Sequence, residues 1–386
     1  MKPRILPLLL LTLALGGLGC SATPSTPTTS NPPVQPSSLA TSLSGTFGGG
    51  SLDLSLTTAF DKVRGSFTYT QGVTSTSGLA LGDVTGTHQL VFGMYTGRWD
   101  DFANATGTWQ GDSLVLHLTI DGQAPVDIVL APKKNQSAAF DVVTAEGSDK
   151  RADGFERCTF NFAYPVLKSG ASASVLNDAN AAIGKEFGLG ATSTPQTLSD
   201  DFISLCKSDL DDLMSDTTTA DYAKNMVYDS ETLFSLERNR GNVVSFLIDS
   251  YDYEGGAHGM PGIYGVNVDL NTGKSLTLGD IVKRDSLKPL LQKVEAQVLK
   301  EYSDALFDEP LASFKSFVAD TKPASESELV TFAGLDNFYL TDTGIVFYWN
   351  VYEISPYAAG QLTVEFPFTN IKDMLRSDAP GSSLIQ

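Results

Sequence analysis

Residues 251–265 read YDYEGGAHGMPGIYG and place Tyr251, Tyr253, His258 and Tyr264 among glycines; His258 is one of 3 histidines in 386 residues. A lone imidazole in such a stretch offers a general base, a metal ligand, or a contact at the tip of a hairpin turn. A histidine-based zinc site needs several nitrogen or sulfur donors. Glu254 lies four residues before His258, but the glycines between them break helical geometry. No metal is expected, and the glycines with Pro261 point to a turn between two strands. A second stretch, YEISPYAAG at 352–360, sets Tyr352, Glu353 and Tyr357 around Pro356. Glu353 could pair a cationic group of a partner or accept backbone donors of its own loop. Tyrosines on a rigid sheet edge order a large contact area at low entropic cost. Tyr251, Tyr253, His258, Tyr264, Tyr352, Glu353 and Tyr357 are therefore the candidate binding residues, on two loops expected to neighbour each other. No catalytic residue and no cofactor is assigned. G-x-S-x-G, H-E-x-x-H and phosphate-loop patterns do not occur. DLDDLMSD and DLNTGK lack the closing glutamate of a calcium loop.

The elements that must carry these loops come in two sets. From about 44 to 140 short runs alternate with period two, as in Leu52, Leu54 and Leu56 or Leu114, Leu116 and Leu118. Glycine-rich turns separate them, and no helical stretch intervenes. This predicts an all-β small antiparallel barrel or sandwich. His88 and His117 alternate within these strands toward solvent. A polar boundary falls at 140–152. From 153 to 376 helix and strand patterns mix, which predicts an α+β domain with a mainly antiparallel sheet. Its helices include one with Val175, Ala179, Ile183 and Phe187 on one face, and one with Ser199 as N-cap. The strands run through 226–239, 243–253 and 261–270, and end with two at 337–353 and 360–369.

With 41% hydrophobic residues the chain can build two cores. Its 45 acids against 26 bases give a net charge of −19. Nucleic acid is disfavoured as a partner, because phosphates would be repelled, whereas opposite fields speed encounter with a cationic protein.

The first twenty residues, MKPRILPLLLLTLALGGLGC, are an export signal: Lys2 and Arg4, an apolar run, then small residues. The ending resembles a bacterial lipobox with Cys20 as the lipidation site. The expected location is the bacterial envelope, with a lipid anchor in a membrane and a Pro/Ser/Thr-rich tether at 21–43. Cleavage after Ala22, freeing the chain, is the other outcome. The remaining cysteines, Cys158 and Cys206, form an even pair in an exported chain, which suggests a disulfide.

GGAHGMPGIYGVNVDLNTGKSLTLGDIV and NFYLTDTGIVFYWNVYEISPYAAGQLTVEFPF resemble the RsiV-like family of bacterial extracytoplasmic domains, over roughly 155–375. One such domain is the lysozyme-binding sensor of an anti-sigma factor, and another accompanies a peptidoglycan deacetylase. The resemblance implies recognition in the cell envelope, by a non-enzymatic module for a lysozyme-like or other cationic protein. Two alternatives stand beside it: a peptidoglycan-processing or esterase-type enzyme, and a small-ligand carrier using the mouth of the barrel.

Overall fold

The computed structural model describes residues 38–85, 89–96, 101–190, 192–378 and 380–384. The leader, Cys20, most of the tether and His88 lie outside the described residues.

Eight antiparallel strands form a closed barrel in sequence order. They are β1 (Leu39–Phe47), β2 (Gly50–Ala59), β3 (Lys62–Gln71), β4 (Thr74–Thr85), β5 (Gln89–Thr96), β6 (Asp101–Gln110), β7 (Ser113–Thr119) and β8 (Val126–Pro132). Leu43 pairing with Pro132 and Ser44 with Ala131 close the ring, which removes both sheet edges. The period-two pattern does the sorting: Leu52, Leu54 and Leu56 point inward and are fully buried, while Ser51, Asp53 and Ser55 alternate outward. Leu43, Phe67, Leu90, Met94, Leu116 and Leu118 fill the interior with them. The first strand begins at Leu39, within the stretch read as tether. Its serines and threonines masked a strand whose Leu43 is wholly buried. His117 is solvent-exposed as expected, with Nδ1 2.7 Å from Asp127 Oδ1.

The second domain holds two sheets. The larger comprises β9 (Phe140–Lys150), β10 (Glu156–Leu167), β11 (Tyr228–Arg240), β12 (Val243–Glu254), β13 (Met260–Asp269) and β14 (Lys274–Ser275), in the order β14-β13-β12-β11-β10-β9. All neighbours are antiparallel except β10 and β11. A parallel pair needs a long crossover. Here α1 (Ala173–Glu186), α2 (Pro195–Ser215) and α3 (Ala220–Ala223) supply it. Ala179, Ile183 and Phe187 of this crossover pack on Phe162, Phe234, Leu236 and Phe246 of the sheet. The second helix starts earlier than Ser199. Thr194 is its N-cap, forming a capping box with Thr197, and Pro195 stands at the first helical position. Ser199 is buried inside the helix instead. The polar segment at 140–152 is mostly edge strand β9. Its charges suit a strand with one free edge.

The disulfide pairs Cys158 on β10 with Cys206 on α2. By closing 48 residues of chain it lowers the entropy of the unfolded state, a contribution of about 2–4 kcal/mol.

The last third builds the smaller sheet. It contains α4 (Leu278–Ile281), α5 (Leu287–Tyr302), α6 (Asp308–Ala319) and α7 (Glu326–Ala333). Then come β15 (Phe338–Leu340), β16 (Gly344–Trp349), β17 (Leu362–Pro367) and α8 (Phe368–Ile371). Leu287, Leu290, Val294 and Val298 of α5 cover Phe338, Phe347 and Val364. The run 337–353, read as one strand, is a hairpin. Thr341 Oγ1 accepts from the Gly344 amide at 2.9 Å and holds the turn.

Barrel and second domain are pinned together by charge. Arg64 of β3 donates from Nε to Asp249 Oδ2 at 2.6 Å. Lys133, just past β8, bridges Asp53 at 2.7 Å and Asp342 at 2.5 Å, the latter in the β15–β16 turn.

Candidate functional site

Strands β12 and β13 form the hairpin expected at 251–265, in register from Val243 opposite Asp269 to Asp252 opposite Met260. Gly255 and Gly256 turn the chain with φ of 86° and 97°, a region that favours glycine. Gly259 serves differently. A Cβ there would lie 2.4 Å from the Tyr251 ring, so its hydrogen leaves room for that tyrosine.

The 350–360 loop is fastened beside this hairpin by Asn350. Its side-chain Oδ1 accepts from the Ile263 amide at 2.8 Å and its Nδ2 donates to the Ile263 carbonyl at 3.1 Å. Ile263 thereby gains the pair of hydrogen bonds a neighbouring strand would give. Glu353 Oε2 accepts from the Asn350 amide at 2.9 Å, so its carboxylate closes its own turn. Partial burial raises its pKa, and the Asn350 amide pulls it back down in part. Tyr352 is held with φ of 66°, uncommon for a side chain of this size, and its amide donates to the Ser355 carbonyl at 3.0 Å.

The two loops meet at His258. Its ring stacks on Tyr357 with centroids 3.8 Å apart and planes 23° from parallel. Its Nδ1 lies 3.0 Å from the Gly259 carbonyl, which can only accept, so Nδ1 donates. In the neutral ring Nε2 is then the acceptor, and Tyr352 Oη stands 3.3 Å from it. Tyr352 is 49% exposed, Met260 47% and Tyr251 37%, so the cluster presents an open apolar and aromatic surface. Tyr222, from α3, adds exposed ring surface near Gly255. Asp252, Glu254 and Glu353 lie in the same two stretches.

Not every expected residue joins this surface. Tyr253 is half-buried, its hydroxyl turned back to the Gly256 carbonyl at 3.1 Å. Tyr264 packs partly against the sheet core, and burial raises its pKa. His258, Tyr352 and Tyr357 form the cluster's centre, Tyr251 its flank, and Glu353 a support. Among the described residues no group of three or more His, Cys, Asp or Glu side chains is placed to hold a metal.

A second concavity was not foreseen. Between the barrel, β11 and the small sheet lies a cavity of about 480 Å³. Glu237 of β11 is 4% exposed there, at an irregularity where the β11–β12 register shifts between Leu236 and Arg238. Such bulges re-aim side chains. Its partners are hydroxyls: Ser235 donates to its Oε1, and Ser66 of the barrel also bonds it. Burial pushes its carboxyl up to about 7, with Asp342 and Glu365 adding to the rise. Glu365 of β17 accepts from Thr343 Oγ1 at 3.0 Å, and protein around its cavity-facing carboxyl raises its pKa as well. The one sequence signal was a glutamate inside the apolar run TLFSLERN. Nothing in the sequence joins it to Ser66 or Glu365.

Fold and site together define a filled β-barrel joined to an α+β domain that presents an aromatic loop pair. Residues 155–261 match the family model described as Deacetylase PdaC, and residues 279–369 match that of a protein of unknown function, DUF3298. The hairpin loop falls at the end of the first match and the 350–360 loop inside the second. Comparison with curated proteins gave no match. Among solved structures, a DUF3298-family member from Bacteroides fragilis is 24% identical, covering 65% of this chain and 99% of its own, with a TM-score of 0.47. A DUF3298-family protein from Pseudomonas aeruginosa is 16% identical over 64% of this chain and 96% of its own, with a TM-score of 0.36. Among the described residues no helix is long and apolar enough to cross a membrane.

Proposed function

We propose that this protein is a non-enzymatic binding module of the bacterial envelope, tethered through Cys20, that docks a cationic protein of lysozyme type. The observation that carries the reading is the cluster of exposed His258 and Tyr352 with half-buried Tyr357, built from two loops that Asn350 locks together. Rigid aromatic side chains are the anchors that dominate protein interfaces. The net charge of −19 favours a basic partner on encounter. The RsiV-like resemblance supplies the same class of partner. Calorimetry of the full chain with a basic muramidase, over a salt series, tests it. We expect saturable binding that weakens with salt. Tyr352→Ala should weaken it by about 2 kcal/mol, roughly thirtyfold, as an interface hot spot would. Absence of saturable binding at low salt, or a Tyr352→Ala affinity equal to that of the parent, overturns the proposal.

The match of residues 155–261 to the Deacetylase PdaC model supports a second reading, an enzyme acting on the cell wall. It predicts turnover of peptidoglycan fragments, abolished by His258→Ala.

A further inference from the structure

The loop pair does not use the interdomain cavity, and its chemistry is different. We propose that this cavity is a binding site for a small organic ammonium ion with an apolar body. The first argument is charge. Asp53, Glu237, Glu301, Asp342 and Glu365 line the space, and Lys133 is the cation among its described lining residues. Lys133 is already spent on Asp53 and Asp342. Glu237 and Glu365 bond to hydroxyls, and no ion pair to either is found among the described residues. Glu365 is exposed at the cavity wall, whereas Glu237 is buried, and a buried carboxylate is costly without a cation.

The second argument is polar atoms left open. Asp342 Oδ1 and Gln361 Nε2, from two residues that line the cavity, are buried without a hydrogen-bond partner among the described residues. Buried polar atoms without a partner are unusual in a folded protein. Tyr339 is 6% exposed, lines the same cavity and senses both Glu237 and Glu365 electrostatically. An ammonium group placed among Tyr339, Glu237 and Glu365 would meet charge, hydrogen-bond acceptors and an aromatic ring together.

The third argument is the remainder of the wall. Leu247, Ile263, Val346 and Val364 form an apolar side, while Ser55, Ser66, Thr68 and Ser77 project hydroxyls from the barrel. A volume of about 480 Å³ lies within the range of small-molecule sites. Apolar contact on one side and carboxylates on the other select an amphipathic cation over an anion or a plain hydrocarbon. The site needs both domains, which gives the barrel a part in the binding.

Three probes of one shape test this on the full chain by calorimetry: phenethylammonium chloride, 2-phenylethanol and phenylacetate. We expect one molecule of phenethylammonium per chain, bound at least tenfold more tightly than the alcohol, with no binding of the carboxylate. Glu365→Gln and Glu237→Gln should each weaken phenethylammonium at least tenfold, while the Tyr352→Ala variant binds it unchanged. Glu365 lies at an accessible wall, so its variant remains informative if the Glu237 variant misfolds. Equal affinity for alcohol and ammonium, non-saturating uptake of ammonium, or wild-type affinity in Glu365→Gln overturns the proposal. A surface effect of the negative chain would appear as uptake that neither substitution alters.

Discussion

Asn350→Ala is expected to destabilise the folded protein by about 4 kcal/mol, because it strands two buried backbone groups at once. Asn350 and Ile263 are each 7% exposed, and the side-chain amide of the first satisfies both the N–H and the C=O of the second. A buried donor or acceptor left without a partner costs about 1–3 kcal/mol, so two such groups place the loss at about 2–6 kcal/mol, centred near 4. Ile263 is also packed in a small cluster with Leu247, Tyr339, Val346 and Tyr348. The same change frees the loop that carries Tyr352 and Tyr357, so docking at the aromatic cluster should fall with stability. Urea unfolding gives the energy, and hydrogen exchange at the Ile263 amide locates it. A loss under about 1 kcal/mol with unchanged Ile263 protection would show that the loop is held by something else.

Barrel strands were legible because a closed sheet with a packed interior imposes strict alternation. Leu52, Leu54 and Leu56 obey it over six residues. The disulfide was legible for a different reason: two cysteines leave one pairing. Helix starts were less so. Ser199 followed by two aspartates has the composition of an N-cap, yet the capping box formed at Thr194, where Pro195 could open the helix. Composition alone cannot choose between two adequate caps, and the packing of Ser199 under the sheet decided it. The β15–β16 hairpin was hidden because TDTG turns within a run of aromatic residues that reads as continuous strand.

For the aromatic cluster, residue type singled out His258, Tyr352 and Tyr357, but not which tyrosines would face outward. Tyr264 and Tyr253 have the same chemistry and differ only in register and turn geometry. Asn350, which joins the loops, carries no sequence signal at all, since its partner lies 87 residues away. The cavity was invisible for the same reason. Glu237, Tyr339 and Glu365 come from three strands, and the barrel wall that closes the space is a separate domain. Long-range packing, not local pattern, makes that site.

Glu237→Gln is expected to stabilise the protein above neutral pH and to leave it no more stable near pH 4.5. The group is 4% exposed, and its carboxyl rises from 4.5 to about 7 in the fold. Below pH 4.5 the carboxyl is protonated in folded and unfolded chains alike, and its burial carries no charge penalty. Between 4.5 and about 7 the unfolded chain ionises while the folded chain keeps its proton, so stability falls as pH rises. Above that window both states are ionised, and the full penalty stands at about 3 kcal/mol. The groups facing Glu237 reinforce the sign: Asp342 and Glu365 repel its charge, while Ser235 and Ser66 only partly offset burial. Glu365 is raised in the same direction, so wild-type stability should decline across this interval by more than one residue accounts for. Glutamine keeps the shape and cannot ionise. Urea midpoints for both proteins at pH 4.5 and pH 8 check the claim. A parallel pair of pH curves for wild type and variant would mean that Glu237 ionises as freely in the fold as in the unfolded chain, which would overturn the claim.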